Sequence, residues 1–506
     1  RGASSHQHNP GVILAEHNTT EDYGNCYGML FVYSGNFMCE SGKDQFDQTR
    51  LVMGLQSEQF HYRLKHGQSL IVPETILSFS DKGFSGLSLK YHDCIRRHIC
   101  RGKYANSPRP VLLNSWEAAY FNFNGNTIIN LAKEAADLGI DLVVMDDGWF
   151  GNRDSDNSGL GDWIVNEQKL GCSLNELVKC VNKQGVKFGI WIEPEMVSED
   201  SNLYREHPDF VLQIPGRQPI RSRNQLVLDF SREEVRENIF KQICSVLDQA
   251  NIEYIKWDMN RNLTELYSNK NFPGCVAYNY VLGVYDFLEK LLNRYPGLLI
   301  EGCCGGGGRF DAGMLYYTPQ IWCSDNTDAI DRLKIQYGTS FFYPVSTSGS
   351  HVSAVPNHQT GRITSLHTRG VVAMSGIFGY ELDPGKLSDE EKEETRQQIK
   401  TYKKYAGLIQ SGDYYRLSDP FKDIYTAWEN ISKDGTQVIL SIVINEIHGN
   451  MPVYYVKLKG LKANTIYKDI ESGICYQGTA LTEAGLPIRC GLGEYNSYQI
   501  ILNAEK

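Results

Sequence analysis

The sequence predicts an α/β protein built on a (β/α)8 barrel of the TIM type, with antiparallel β structure before and after it. Three observations carry that reading. Between residues 106 and 420, eight short apolar runs alternate with amphipathic helical stretches. Such alternation builds parallel βα units, and eight of them close a ring. The first run ends in Asn114-Ser115-Trp116-Glu117, without the glycine-rich turn that follows the first strand of a doubly wound sheet. On either side of this zone the pattern changes to alternating runs separated by Gly and Asn, which reads as antiparallel β structure.

Taken in order, residues 1–105 are rich in Tyr, Phe, Gly and Ser and contain Gly28-Met29-Leu30-Phe31-Val32-Tyr33. They are expected to form a β-sandwich portion. The eight apolar runs lie at 111–113, 141–145, 187–192, 226–228, 254–257, 298–300, 320–322 and 341–345. Helical periodicity is clearest at 127–138, 174–183, 233–249 and 280–295. Residues 421–506 alternate again at 436–445, 454–458 and 498–502, predicting a small C-terminal antiparallel β-sandwich.

Composition narrows the functional classes. A chain of 506 residues exceeds one ordinary core, so several domains are expected. The net charge is -10 and no basic stripe is visible, which argues against nucleic acid as a partner. Thirteen Cys, an odd number scattered through apolar patterns, suit a reducing compartment rather than a disulfide framework. Cys100, Cys180, Cys244 and Cys275 read as plain thiols. With no apolar run of membrane-spanning length and no signal peptide, a cytoplasmic location and no membrane partner are expected. The chain begins with Arg1 rather than Met, and is expected to be a processed or truncated piece of a longer protein.

In barrels of this type the C-terminal strand ends form the active-site face. The second run ends in Asp146-Asp147, the third in Trp191 through Glu195, and the fourth is bracketed by Arg223 and Asp229. The fifth carries Lys256, Asp258 and Asn260, the sixth is followed by Cys303, and the seventh ends in Trp322 through Asp325. A single acid there is as readily a helix cap. Acids and Trp converging on one face point instead to sugar chemistry, because glycosidic cleavage needs two carboxyl groups and Trp faces suit a pyranose ring. Asp258 and Asp325, on the fifth and seventh runs, are the best pair.

Other motifs weigh less. Gly305 to Gly308 lack the Lys-Ser/Thr of a phosphate loop and read as a tight turn letting backbone approach a sugar. Cys303, Cys304 and Cys323 lack zinc-ligand spacing, and Asp154 and Asp156 lack the distal Glu of a calcium loop. No metal or other cofactor is expected. His351 and His358 read as loop hydrogen-bonding residues near a pocket rim or subunit contact.

The segments "YIKWDMNR", "VMDDGWFGNRDSD", "GIWIEPEMVSEDS", "GGGGRFDAGMLYYTPQIWCSDNTDAIDRLKIQYGTS" and "HVSAVPNHQTGR" resemble glycoside hydrolase family 36, the microbial α-galactosidases. The likeness runs through nearly the whole chain, including "RGASSHQHNP" at its start. It implies an N-terminal β-supersandwich, of which residues 1–105 match the later part, then barrel and C-terminal sandwich. It implies retaining hydrolysis of terminal α-galactose from oligosaccharides such as melibiose and raffinose, with Asp258 as nucleophile and Asp325 as general acid/base. It implies sugar contacts from Asp146, Asp147, Trp191, Arg223, Lys256, Asn260, Cys303 and Trp322, and a homo-oligomer, often a tetramer. Where the family commonly has Ser-Cys-Ser before the glycines, this chain has Gly302-Cys303-Cys304. Related chemistries, α-N-acetylgalactosamine release or galactosyl transfer, and non-catalytic galactoside binding are the alternatives. Turnover is predicted to need no divalent ion. EDTA should leave the rate unchanged, and activity lost in EDTA and restored by one added divalent ion would overturn this.

Overall fold

The computed structural model describes residues 2–489, 491 and 493–505. At its centre eight parallel strands close a barrel: β1 (Leu112–Asn114), β2 (Leu142–Met145), β3 (Lys187–Ile192), β4 (Tyr254–Trp257), β5 (Leu299–Gly302), β6 (Gln320–Trp322), β7 (Ser348–Ser353) and β8 (Ile377–Glu381). Each strand pairs with the next, and β8 pairs back onto β1 through Gly379–Leu112 and Tyr380–Leu113.

Two of the expected runs are not barrel strands. Leu226–Val227 pairs antiparallel with Met196–Val197, in an excursion between β3 and β4. Residues 341–345 follow the helix Ala329–Thr339 into the 3-10 turn Val345–Thr347. The true β7, Ser-Gly-Ser-His-Val-Ser, is wholly buried yet has almost no apolar signal. Its small residues answer to bulky neighbours: a Cβ at Gly349 would stand 3.0 Å from the Glu301 carboxylate and 3.1 Å from the Trp322 ring. β8 is apolar but closely follows the buried apolar helix Leu366–Ala373, so the sequence reads as one continuous run. Asp258 therefore follows the fourth strand and Asp325 the sixth. One strand still lies between them.

The helices form for ordinary reasons. Leu174–Lys183 opens with a capping box between Ser173 and Glu176 and buries Leu174, Leu177, Val178 and Val181. That i, i+3, i+4, i+7 stripe faces the barrel wall, and each buried Leu or Val contributes roughly 1.5–3 kcal/mol. Gly125–Leu138 is capped by Asn124 and stopped by Gly139, whose φ of +86° suits glycine.

Before the barrel, Gly11–Ala15, Cys26–Phe31 and Thr75–Ser80 make a three-stranded antiparallel sheet, and Phe37–Lys43 pairs with Thr49–Leu55 as a hairpin. Residues Gly83–Cys94 are helical and run into a π-turn, Ile95–Ile99, where the sequence suggested more β structure. After the barrel, a six-stranded antiparallel sheet runs from Asp413–Arg416 to Ser497–Ala504. The ribbon Tyr454–Val456 with Leu486–Ile488 packs on it around Leu440, Ile442 and Leu502. Among the described residues, no helix is long and apolar enough to cross a membrane.

One buried junction ties the strand ends together. The Glu195 carboxylate, beyond β3, accepts from Trp257 Nε1 on β4 at 2.8 Å, from Tyr280 Oη at 2.8 Å, and from both terminal nitrogens of Arg309 at 2.8 and 3.0 Å. Glu195→Ala would strand the Arg309 charge in the interior and is predicted to lower unfolding free energy by about 3–5 kcal/mol. Chemical denaturation checks this, and an unchanged midpoint would refute it.

Candidate active site

Past the end of β4 the chain continues the parallel ladder for one residue, with Asp258 N–H donating to the Ile192 carbonyl at 2.8 Å. The Asp258 side chain is only 6% exposed and four donors converge on it. Oδ1 accepts from Met259 N at 2.7 Å and Gly305 N at 3.1 Å; Oδ2 accepts from Asn260 Nδ2 at 2.7 Å and Trp191 Nε1 at 3.2 Å. Burial opposes the charge. The Lys256 ammonium, the Gly305 N–H and the Arg223 guanidinium outweigh it, holding Asp258 below the usual carboxylate range.

Asp325 meets a different environment. Its Oδ1 accepts from Trp322 Nε1 at 3.1 Å. Burial, then the Asp258 charge, push it up to about 6, against the opposing pull of Lys256. Its backbone is fixed on two sides. Gln359 Nε2 donates to the Asp325 carbonyl at 3.0 Å, and Arg332, lying 4.4 Å over the Trp322 ring, donates to the carbonyls of Ser324 and Asn326 at 2.6 Å each.

The two carboxylates share a cavity of about 160 Å³, scaled to one six-membered ring, since roughly 150 Å³ holds benzene. Nine of the ten expected site residues line it: Asp146, Asp147, Trp191, Arg223, Lys256, Asn260 and Trp322 together with Asp258 and Asp325. Lys256 Nζ lies 3.0 Å from Asp146 Oδ2, which also accepts from Asn114 Nδ2 at 2.7 Å. Asp147 takes Arg153 in a bidentate pair at 2.8–3.2 Å. Although adjacent, both acids reach the pocket because β2 ends at Met145. Arg223 donates to Asn260 Oδ1 at 2.6 Å from a left-handed backbone position, φ +53°.

Cys303 is the exception. It is buried beside the pocket rather than in its wall, where burial and the charges of Asp258 and Asp325 push its thiol well up. The glycine-rich loop brings its backbone close to the two carboxylates. Gly305 donates to Asp258, while a Cβ at Gly306 would stand 2.5 Å from Asp325 N and one at Gly307 2.1 Å from the Cys323 carbonyl. Asp154 pairs with Lys169 at 2.8 Å and Asp156 with Arg153 at 3.6 Å, in keeping with a polar loop.

The pocket has further walls that the strand-end reading did not assign: Trp116, Glu117, Thr327, His358, Gln359 and Glu381. Trp116 and Glu117 were visible after the first run. Glu381 ends β8, the strand that went unrecognised. Its charge is opposed by burial but held below the usual range by His351 Nδ1 at 3.1 Å. Burial and the Glu381 charge lift Glu117 to about 8. His351 sits on β7, not in a loop, whereas His358 does reach the pocket. Among the described residues no cluster of His, Cys, Asp and Glu has a metal-holding arrangement. Among the carboxyl groups facing this ring-sized cavity, Asp258 is held anionic and Asp325 is readily protonated, an arrangement suited to acid/base-assisted nucleophilic displacement.

Comparison with known proteins bears on that chemistry. Residues 69–412 match the Melibiase family model, 1–65 the glycosyl hydrolase family 36 N-terminal domain, and 425–502 the family 36 C-terminal domain. The chain is 63% identical over 499 residues to the bifunctional alpha-galactosidase/sucrose kinase AgaSK of Mediterraneibacter gnavus, covering 99% of this chain and 53% of that protein. It is 50% identical to the alpha-galactosidase AgaA of Geobacillus stearothermophilus, covering 96% of this chain and 67% of that protein. It thus spans about half the length of the first relative and about two thirds of the second. The solved galactosidase domain of AgaSK superposes with a TM-score of 0.98 at 62% identity, over all of this chain and 70% of that one. An AgaA variant in complex with raffinose gives 0.98 at 48% identity, over all of this chain and 71% of that one. With family models matched from the first strands to the last sheet, the chain belongs to glycosyl hydrolase family 36.

Proposed function

We propose that this chain is a retaining α-galactosidase that releases terminal non-reducing α-galactose, typically α-1,6-linked, from oligosaccharides such as melibiose and raffinose. The observation that carries this reading is the divergence of two carboxyl groups in one pocket. Asp258 is held below its usual range and Asp325 is lifted to about 6. The names of the AgaSK and AgaA relatives, and the complexes of AgaA variants with raffinose and stachyose, support the substrate class. A cytoplasmic setting and a homo-oligomer, a tetramer by family likeness, belong to the same proposal.

In the first displacement an Asp258 oxygen attacks the anomeric carbon while the Asp325 proton passes to the glycosidic oxygen. The C–O bond breaks, the aglycone leaves as an alcohol, and a β-galactosyl ester forms on Asp258. In the second, water attacks the same carbon and gives its proton to Asp325, and the ester bond breaks to return Asp258 as carboxylate. Two inversions leave α-galactose. Trp191 and Trp322 wall the ring site, while Asp146, Asp147, Lys256, Arg223 and Asn260 present charged and amide groups to its hydroxyls. Cys303, buried beside the pocket within the fields of Asp258 and Asp325, completes the proposed set of sugar contacts.

Three outcomes are expected. NMR of the first-formed sugar shows α-galactose, and initial β-galactose would exclude the mechanism. For raffinose, kcat/KM declines as pH rises through about 6, because Asp325 must carry a proton, and it declines on the acid side only where Asp258 protonates. Asp325→Asn abolishes the alkaline limb. Asp258→Asn removes turnover, while Asp325→Asn loses about 10²–10⁴-fold on raffinose and far less on aryl galactosides with acidic leaving groups. Azide rescue of Asp258→Asn with retained configuration would show the roles to be reversed.

A further inference from the structure

Beyond β5 and the buried pair Cys303-Cys304, four consecutive glycines, Gly305 to Gly308, lead to Arg309, and Gly305 and Gly306 have φ of +53° and +85°. Such a loop has no side chains with which to fix its own shape. Yet its placement matters to both carboxyl groups, through the Gly305 N–H on Asp258 and the close approach of Gly306 and Gly307 to residues 323–325. Upstream it is anchored by β5. Downstream, three successive residues are held by one short segment near the start of the chain. Arg309 N–H donates to the Ser4 carbonyl at 3.1 Å, Asn9 Nδ2 donates to the Phe310 carbonyl at 2.8 Å, and the Ser4 hydroxyl donates to the Asp311 carboxylate.

That segment is itself fixed. Ser5 N donates to the His8 carbonyl at 3.0 Å, and His8 N donates to Ser5 Oγ at 3.2 Å. Ser4 N donates to the Ser34 carbonyl at 2.9 Å, and Ser34 Oγ donates to the second Asp311 oxygen at 2.7 Å. Tyr343 Oη donates to Asn9 Oδ1 at 2.8 Å. Ser4 is 1% exposed. Ser4 and Ser34, from two separate segments before the barrel, thus meet at the two oxygens of Asp311.

We propose that residues 4–9 form a positioning strap for the catalytic pair, with Ser4 and Asn9 holding residues 309–311 so that Gly305 delivers its N–H to Asp258 and Gly306 rests against Asp325. The inference rests on the roles assigned above to Asp258 and Asp325. Neither Ser4 nor Asn9 lines the pocket, so their effect passes entirely through the loop. A displacement of the loop by about 1 Å takes the 3.1 Å Gly305 contact beyond hydrogen-bonding range.

The test uses Ser4→Ala, Ser4→Thr and Asn9→Ala in the full chain, with kcat and KM for an aryl α-galactoside measured across pH beside thermal unfolding. Ser4→Ala and Asn9→Ala should each lower kcat about tenfold with KM little changed. Each should also move the acidic limb upward by about half a pH unit, because Asp258 loses a donor to its charged form. Ser4→Thr keeps the hydroxyl and should restore both. An acidic limb that stays in place in the two alanine variants, whatever happens to their melting temperatures, overturns the strap. If Ser4→Ala does not fold, Asn9→Ala, which leaves Asp311 untouched, carries the same reading. Asp258→Asn assayed alongside separates the two claims. Turnover retained in that variant refutes the nucleophile, whereas loss of turnover with unmoved strap variants refutes only the strap.

Discussion

A carboxylate removed from water keeps its charge only where cations and N–H groups replace the solvent it has lost. At Asp258 the replacements come from β3 through Trp191, from the exit of β4 through Met259 and Asn260, and from beyond β5 through Gly305. Lys256 and Arg223 add positive charge. Each brings its own demand. Buried Lys256 needs Asp146, and Asp146 is steadied in turn by Asn114 from β1 and by Ser115 Oγ, which accepts its N–H at 3.0 Å. Arg223 adopts a backbone conformation unfavourable to a side chain. The Gly305 loop admits no Cβ at its apex, and the Glu195–Arg309 junction braces its exit.

Asp325 shows what the same pocket does to a carboxyl group without that provision. Its side chain takes one tryptophan N–H and stands within the fields of Asp258 and Glu381. The contrast between the two acids is one of neighbours and also of depth, since Asp258 is 6% exposed whereas Asp325 is the more exposed of the two. Glu117 and Glu381 repeat the pattern on the opposite wall, one lifted by burial and its neighbour's charge, the other held low by His351.

Where the sequence was legible, the reason was a sharp change of chemistry at a strand end. Asp258 after Tyr254–Trp257, and Asp325 three residues past Trp322, stand out because an ionisable group interrupts an apolar run. β7 gave no such signal, because its residues are small and polar while their burial is imposed by Glu301, Trp322 and their neighbours across the barrel. Leu226–Val227 gave a false one, since two buried apolar residues suffice for a short ribbon outside the barrel. Missing β8 concealed Glu381. The glycine run was visible as a tight turn, but its target was not: a backbone N–H aimed at a side chain 47 positions away leaves no local pattern.

The contact between Ser4 and Asp311 joins residues 307 positions apart. At about 5–20 residues per second, the ribosome delivers Asp311 roughly 15–60 s after Ser4. Throughout that interval the early segment has no barrel loop to bind, and the glycines that depend on it do not yet exist. Contacts of such long sequence separation carry a loop-closure penalty and form after the local βα units have rewards of their own. The strap therefore belongs to the last stage of assembly. The strands before the barrel wait for it rather than template it, and the pocket is finished only when an older part of the nascent chain docks on a much younger one.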